Sequence, residues 1–229
     1  MRTAGLNSGI KMPVEKHINF FGLIKAAEKP GCPLCRIVND RAEWYIDNLL
    51  FEHVSDRGFR ALHRSSGGFC PFHSRNLVSF RDGLAVAILS RDILEDRIAS
   101  FTRKKNWKPA GHCPICIERD RIEEEYLGFI ANSIGDTPEE NELRGAIIAS
   151  EGLCAPHYNS LLFTPKGKPR IVPAWIREFH EKKFRDLLAR VDQFIEFSAY
   201  GRQAEFAALS EKDQLVWKEA AEILRGSTE

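Results

Sequence analysis

"GGFCPFH", Gly67 to His73, sets a cysteine and a histidine three positions apart where a helical pattern begins, and "EGLCAPH", Glu151 to His157, does the same. Upstream of each lies a paired cysteine motif, "CPLC" at Cys32 to Cys35 and "CPIC" at Cys113 to Cys116. These four pieces contain all six cysteines of the chain. How they are spaced decides the architecture.

The spacing is that of a duplication. A shift of 81 residues lays Cys32 on Cys113, Pro33 on Pro114, Cys35 on Cys116 and Tyr45 on Tyr126. A shift of 84 lays Gly68 on Gly152, Cys70 on Cys154, His73 on His157 and Leu77 on Leu161. Fixed-offset similarity of this kind marks a repeated structural unit. The change of offset places a three-residue insertion in the loop "NSIGDTPEE". The expected unit is C-P-x-C, then 34 or 37 residues, then C-x-x-H.

Each piece heads an apolar pattern of helical period. Ile37, Val38, Tyr45 and Leu49 follow Cys35, and Ile122, Tyr126, Phe129, Ile130 and Ile134 follow Cys116. Leu77, Phe80, Leu84, Ala87, Ile88, Leu94, Ile98 and Phe101 follow His73, with Gly83 as a candidate break. We read these stripes as core-facing helix surfaces. "TPEENELRGAIIA" opens with a capping box, Thr137 to Glu140, with Pro138 in the first turn. A long amphipathic helix is predicted from Pro173 through Ile195, and a last one from Ser210 to Gly226. "FTPKGKPRIVP" reads as a loop, and its "PKGK" lacks the glycine and the strand context of a phosphate loop. The predicted fold class is all-α. Residues 1–16 are expected to form a flexible N-terminus, 17–111 and 112–172 the two metal-binding repeats, and 173–229 C-terminal helices packed on them in one compact unit.

Two cysteines separated by two residues reach one ion through a tight turn, and a Cys-x-x-His pair in a first helical turn presents both donors on one face. Three sulfurs and one nitrogen make a closed tetrahedral set that suits zinc. Proximity in sequence assigns Cys32, Cys35, Cys70 and His73 to one site and Cys113, Cys116, Cys154 and His157 to the other, with two Zn²⁺ per chain. Four protein ligands leave no open position for water, so the metal is expected to be structural rather than catalytic. Packed, ligand-free cysteines are one alternative. An iron–sulfur cluster is another, although there the proline usually follows the last cysteine. A reactive dithiol is a third, although its usual strand–helix context is missing.

Among the other histidines, His17, His53, His63, His112 and His180, a surface or capping role is expected. His112 also adjoins Cys113, and His53 and His63 lie near the first motif pair. Glu123, Glu124 and Glu125 read as a solvated helix face. No nucleophile–base pair or phosphate-cradling loop stands out, and the reading leans away from an enzyme.

With a formal net charge of +1, the chain has no strong field for nucleic acid or for acidic membranes. The weak nucleic-acid candidate is "FTRKKNWKP", Phe101 to Pro109, where basic residues adjoin Trp107. No apolar run reaches membrane-span length, and "MRTAGLNSGIKMPVEK" lacks a secretory apolar block, so a cytoplasmic protein with reduced cysteines is expected.

The duplicated CPLC…GFCPFH and CPIC…GLCAPH arrangement, followed by "FRDLLARVDQFIEFSAYG" and "VWKEAAEILRG", resembles a family of uncharacterised bacterial and archaeal proteins. The likeness runs from about His17 to Gly226. It implies the same boundaries and ligand set and carries nothing on substrate. Unlike many zinc knuckles, which carry glycine after the second cysteine, this chain has Arg36 and Ile117 there, so helix is expected to begin at once. The expected function is a metal-tied helical scaffold whose partner is another protein. The rival readings are an iron–sulfur or thiol redox protein and, more weakly, a nucleic-acid binder.

Overall fold

A computed structural model describes residues 18–104, 106–132 and 137–226, the side chains of residues 138 and 139 excepted. The proposed insertion at 132–140, the N-terminal 1–16, His17, Ile134 and Lys105 fall wholly or partly outside them. Among the described residues the chain is all-α, with no strand beyond an isolated antiparallel bridge, Phe163 to Pro169, that closes the predicted turn.

In chain order the helices are α1 (Ile18–Ala27), α2 (Pro33–Asn48), α3 (Arg57–Ser66), α4 (Pro71–Ser79), α5 (Gly83–Thr102) and α6 (Pro114–Asn132). Then come α7 (Pro138–Ala149), α8 (Ala155–Leu162), α9 (Ala174–Phe197), α10 (Gln203–Ala208), α11 (Glu211–Gln214) and α12 (Val216–Arg225). One π-helical turn, Leu49–His53, continues α2. Local chemistry sets several ends. Asp56 and Asp82 cap α3 and α5 by accepting from the backbone N–H of Phe59 and Ala85, and Thr137 and Glu140 form the expected capping box.

The centre of the molecule is the pair α2 and α6, packed side by side and antiparallel. The Arg119 guanidinium donates to Asn39 Oδ1 at 2.9 Å, and Arg41 lies over the Tyr126 ring at 5.0 Å. Around the N-terminal end of α2, the residues Leu34, Ile37, Val38, Ile122, Tyr126, Ile130, Leu143, Ile147, Leu161 and Ile176 form the larger apolar core. At the other end Ile46, Leu49, Leu50, Val54, Leu77, Ala85, Leu89 and Ile115 form a smaller one. There the packing of α3 on α5 is reinforced by charge. Arg60 Nε donates to Asp92 Oδ2 at 2.7 Å, and Arg64 Nε to Asp96 Oδ2 at 3.0 Å.

One expectation fails on α5. Leu84, Ala87, Leu94, Ile98 and Phe101 face solvent, and the residues turned inward are Ala85, Leu89, Asp92 and Ser100. The ion pairs to α3 fix the rotation of this helix, and Asp92 takes a core position that its apolar neighbours would otherwise fill.

Candidate metal centres

All four motif cysteines nearest a helix start occupy equivalent places. Cys32, Cys70 and Cys154 are the N-cap residues of α2, α4 and α8, and Cys113 immediately precedes α6. Proline in the first turn of each helix presets its backbone. The first helical hydrogen bonds, Arg36 to Cys32, Ser74 to Cys70, Ile117 to Cys113 and Tyr158 to Cys154, run 2.8–3.2 Å and repeat the same turn four times. Helix therefore starts at once after each motif. A helix N-terminus favours negative charge, which suits a thiolate.

The donors converge in two groups, and the grouping corrects the sequence assignment. Cys32 and Cys35 meet Cys154 and His157 at site A, while Cys70 and His73 meet Cys113 and Cys116 at site B. Each site takes its C-P-x-C from one repeat and its C-x-x-H from the other. The reason is helix direction. With its π-helical turn, α2 runs for roughly 30 Å at 1.5 Å per residue. It delivers α3 and α4, with Cys70 and His73, to the far end of the molecule. The antiparallel α6 begins there with Cys113 and Cys116, and it leads back to where α8 presents Cys154 and His157 beside Cys32. Neither repeat closes on itself.

At site A, His157 Nδ1 lies 3.5, 3.3 and 3.2 Å from the sulfurs of Cys32, Cys35 and Cys154, and Cys35 and Cys154 sulfurs are 3.6 Å apart. At site B, His73 Nδ1 lies 3.3, 3.5 and 3.4 Å from Cys70, Cys113 and Cys116, with 3.8 Å between Cys70 and Cys116 sulfurs. A tetrahedron with metal–sulfur bonds of about 2.3 Å and a metal–nitrogen bond of about 2.0 Å has edges of roughly 3.5–3.8 Å. The two sulfur–sulfur edges fall in that range, and the nitrogen–sulfur edges, 3.2–3.5 Å, lie at or a little below its lower end. They are far too long for a disulfide, and all six cysteines are free. Two Cys₃His groupings that could hold a metal ion are thus present.

Without an ion each cluster divides its protons unevenly. At site A, hydrogen bonds with Cys154 and Cys35 hold the Cys32 thiol well below its ordinary value, while bonds to Cys32 and Cys35 push Cys154 up. Burial disfavours charge on His157, yet hydrogen bonds to Cys32 and Cys35 push it up to about 10. At site B, burial and then Arg119 push His73 down to about 4. Burial, then the Cys113 charge, pushes Cys116 up to about 12. Burial works against ionising Cys70 too, but the backbone N–H of His73 and the thiols of Cys116 and Cys113 bring it below its ordinary value. A cation entering either cage displaces such protons, so occupancy weakens as pH falls.

The surroundings of the two cages differ. Gly226, just beyond α12, is buried against site A with φ +78°. A Cβ there would lie 3.3 Å from Cys154 Sγ and 3.5 Å from Cys35 Sγ. The loop into Cys154 is held by His180, whose Nε2 accepts from the Leu153 N–H at 2.9 Å while Nδ1 donates to the Ile176 carbonyl at 2.8 Å. Glu123 Oε2 stands 3.7 Å from His157 Nε2, in ion-pair reach but beyond a hydrogen bond. At site B, His73 Nε2 is buried and finds no hydrogen-bond partner among the described residues. His63, packed on Phe69 with ring centroids 4.6 Å apart, backs that loop.

The eight cysteines and histidines singled out in the sequence stand at helix starts as expected, and they gather in groupings other than those the sequence assigned. His53 and His112 are exposed and outside both cages. His180, Glu123 and Gly226 were not anticipated as neighbours of site A. A signal existed for His180, which shares an inward face of α9 with Ile176 and Leu187. Trp107 of the basic stretch is already engaged, with Arg97 3.6 Å over its ring and its edge filling the space above Gly67.

No family model matches the chain, and no solved structure matches it. It is similar to an uncharacterised 23.9 kDa protein from the xynA 3′ region of Caldicellulosiruptor sp. (strain Rt8B.4), with 28% identity over 145 residues. That match covers 61% of this chain and 70% of the relative. No helix among the described residues is long and apolar enough to cross a membrane.

Proposed function

We propose that the protein is a zinc-tied helical scaffold, with one structural Zn²⁺ in each Cys₃His cage, whose role is to bind another protein. The observation that carries the reading is the pair of tetrads, each with edges of zinc–thiolate–imidazole length and each joining two helix N-termini from different repeats. Four donors close the shell, so the ion holds structure and exposes no site for water. Binding energy of that kind becomes folding energy, on the order of 10–16 kcal/mol per structural zinc. It fastens α2 to α8 and α4 to α6.

The scaffold half of the reading rests on surface. A framework pinned at both ends keeps its outer helix faces fixed, and α5 offers an apolar one. Elemental analysis of protein purified without chelator or nickel tests the metal. About two zinc ions per chain in a colourless sample are expected. Iron with visible absorption would transfer the cages to the iron–sulfur class.

A further inference from the structure

The outer face of α5 carries a heptad seam that the folded chain leaves unused. Leu84, Ala87, Arg91, Leu94, Ile98 and Phe101 follow one another at alternating steps of three and four, the spacing of the a and d positions of a coiled coil. All six are exposed. The large apolar members are conspicuously so, at 74% for Leu84, 60% for Leu94, 62% for Ile98 and 71% for Phe101. The opposite face of the helix is already committed to α3 and the smaller core through Leu89, Asp92 and the Arg60 and Arg64 ion pairs. The seam is therefore not a core face left loose. It spans roughly 25 Å of helix and presents on the order of 500 Å² of apolar surface, the upper range for a patch on a monomer.

We infer that this face pairs with the same face of a second copy, antiparallel about a two-fold axis between Arg91 and Leu94. This deepens the protein-binding half of the scaffold reading by naming the partner, and it does not depend on which metal fills the cages. Three features select the occupant. Bulk is uneven along the seam, large at Leu94, Ile98 and Phe101 and small at Ala87. Reversing the partner sets Ile98 against Ala87 and Phe101 against Leu84, so that large residues meet smaller ones at each end. The two charges on the face are self-complementary in that register. Arg91, which lies 3.6 Å from its own Glu95, also comes beside Glu95 of the second copy, whereas parallel pairing would set Arg91 against Arg91. Finally, two such faces together remove on the order of 1,000 Å² from water, the lower bound for a specific interface.

Sedimentation of the full chain across a range of concentrations tests this, with zinc per chain measured on the same samples. The parent is expected to show a species of twice the 26.0 kDa chain mass. Leu94→Glu combined with Ile98→Glu should weaken self-association at least tenfold while zinc content and helix content stay at parent values, since both side chains already face water. Arg91→Glu should weaken it severalfold, and adding Glu95→Arg should restore it. A parent that stays monomeric at high micromolar concentration overturns the inference. So does a dimer that survives the two glutamates, or one that Arg91→Glu leaves unchanged. A zinc-free dimer disrupted by the glutamates would support the pairing while removing the metal reading, so the two failures are distinguishable.

Discussion

Sites A and B have the same four donors in the same turns, yet they sit in different surroundings. Site A lies against the larger apolar core, is roofed by Gly226 and is backed by His180, which is hydrogen-bonded through both ring nitrogens. Site B lies at the end with the smaller core, where the helices are held partly by the Arg60–Asp92 and Arg64–Asp96 pairs, and its His73 Nε2 has no partner among the described residues. His157 Nε2 has the Glu123 carboxylate in ion-pair reach at 3.7 Å and its neighbouring loop held by His180, whereas His73 Nε2 has no hydrogen-bond partner among the described residues, and such outer contacts orient a ligating imidazole. The equivalent motifs thus share their donor residue types but not their surroundings. If both cages hold zinc, site A should be the better-supported cage and site B the more readily exchanged one.

The largest effect should come from removing a donor at site A. Cys154→Ser is expected to cost one zinc per chain and to lower the melting temperature far more than the matching change at site B. Without its ion, α8 loses its tie to α2, and α12, which packs on α8, loses its seat. Calorimetry with metal analysis checks this, and equal losses for Cys154→Ser and Cys70→Ser would erase the difference between the sites.

A smaller effect, confined to one site, should follow Gly226→Val. Its left-handed backbone and its approach to two sulfurs both exclude a branched side chain, a strain of about 1–3 kcal/mol. Competition with a chromogenic chelator should show site A weakened about tenfold, in keeping with that strain, and site B unchanged. Equal weakening of both would mean that the residue acts on the whole fold.

The smallest effect concerns acid. The Arg60 hydrogen bond holds the buried Asp92 carboxyl below its usual range, against the cost of burial. A carboxyl depressed in the folded state stabilises above its unfolded pKa, near 3.9, and that contribution is lost as pH falls through the folded value. Because Arg60 is partly exposed, solvent damps the gain, and Asp92→Asn should cost about 1–2 kcal/mol at neutral pH. Denaturant melts at pH 7, pH 4 and about pH 2 should show the gap largely kept at pH 4 and closing only below it, as pH falls through the depressed folded value. A constant gap would remove the ion pair from the account of this end.

Much of this was legible in the sequence. Helical periodicity, the Thr137 capping box and the four motifs identify an all-α chain and place eight cysteines and histidines at helix starts. The partners of those donors were not legible, because offsets of 81 and 84 residues show only which pieces are equivalent. Which pieces meet depends on the length and direction of α2 and α6, a property of the packed pair. The α5 stripe misled for a related reason. Periodicity reports a face without saying which way it points, and Asp92 with Arg60 turned it outward. Gly226 and Glu123 carry no spacing signal at all, since they reach site A only through tertiary packing.

The central claim is the exchange of ligands between repeats, and thiol footprinting of zinc-loaded Cys70→Ser tests it most directly. After brief alkylation under native conditions and peptide mapping, Cys113 and Cys116 should be modified while Cys32, Cys35 and Cys154 stay protected. Labelling of Cys32 and Cys35 with Cys113 and Cys116 protected would show that each repeat closes on its own metal, and the crossed architecture would be wrong.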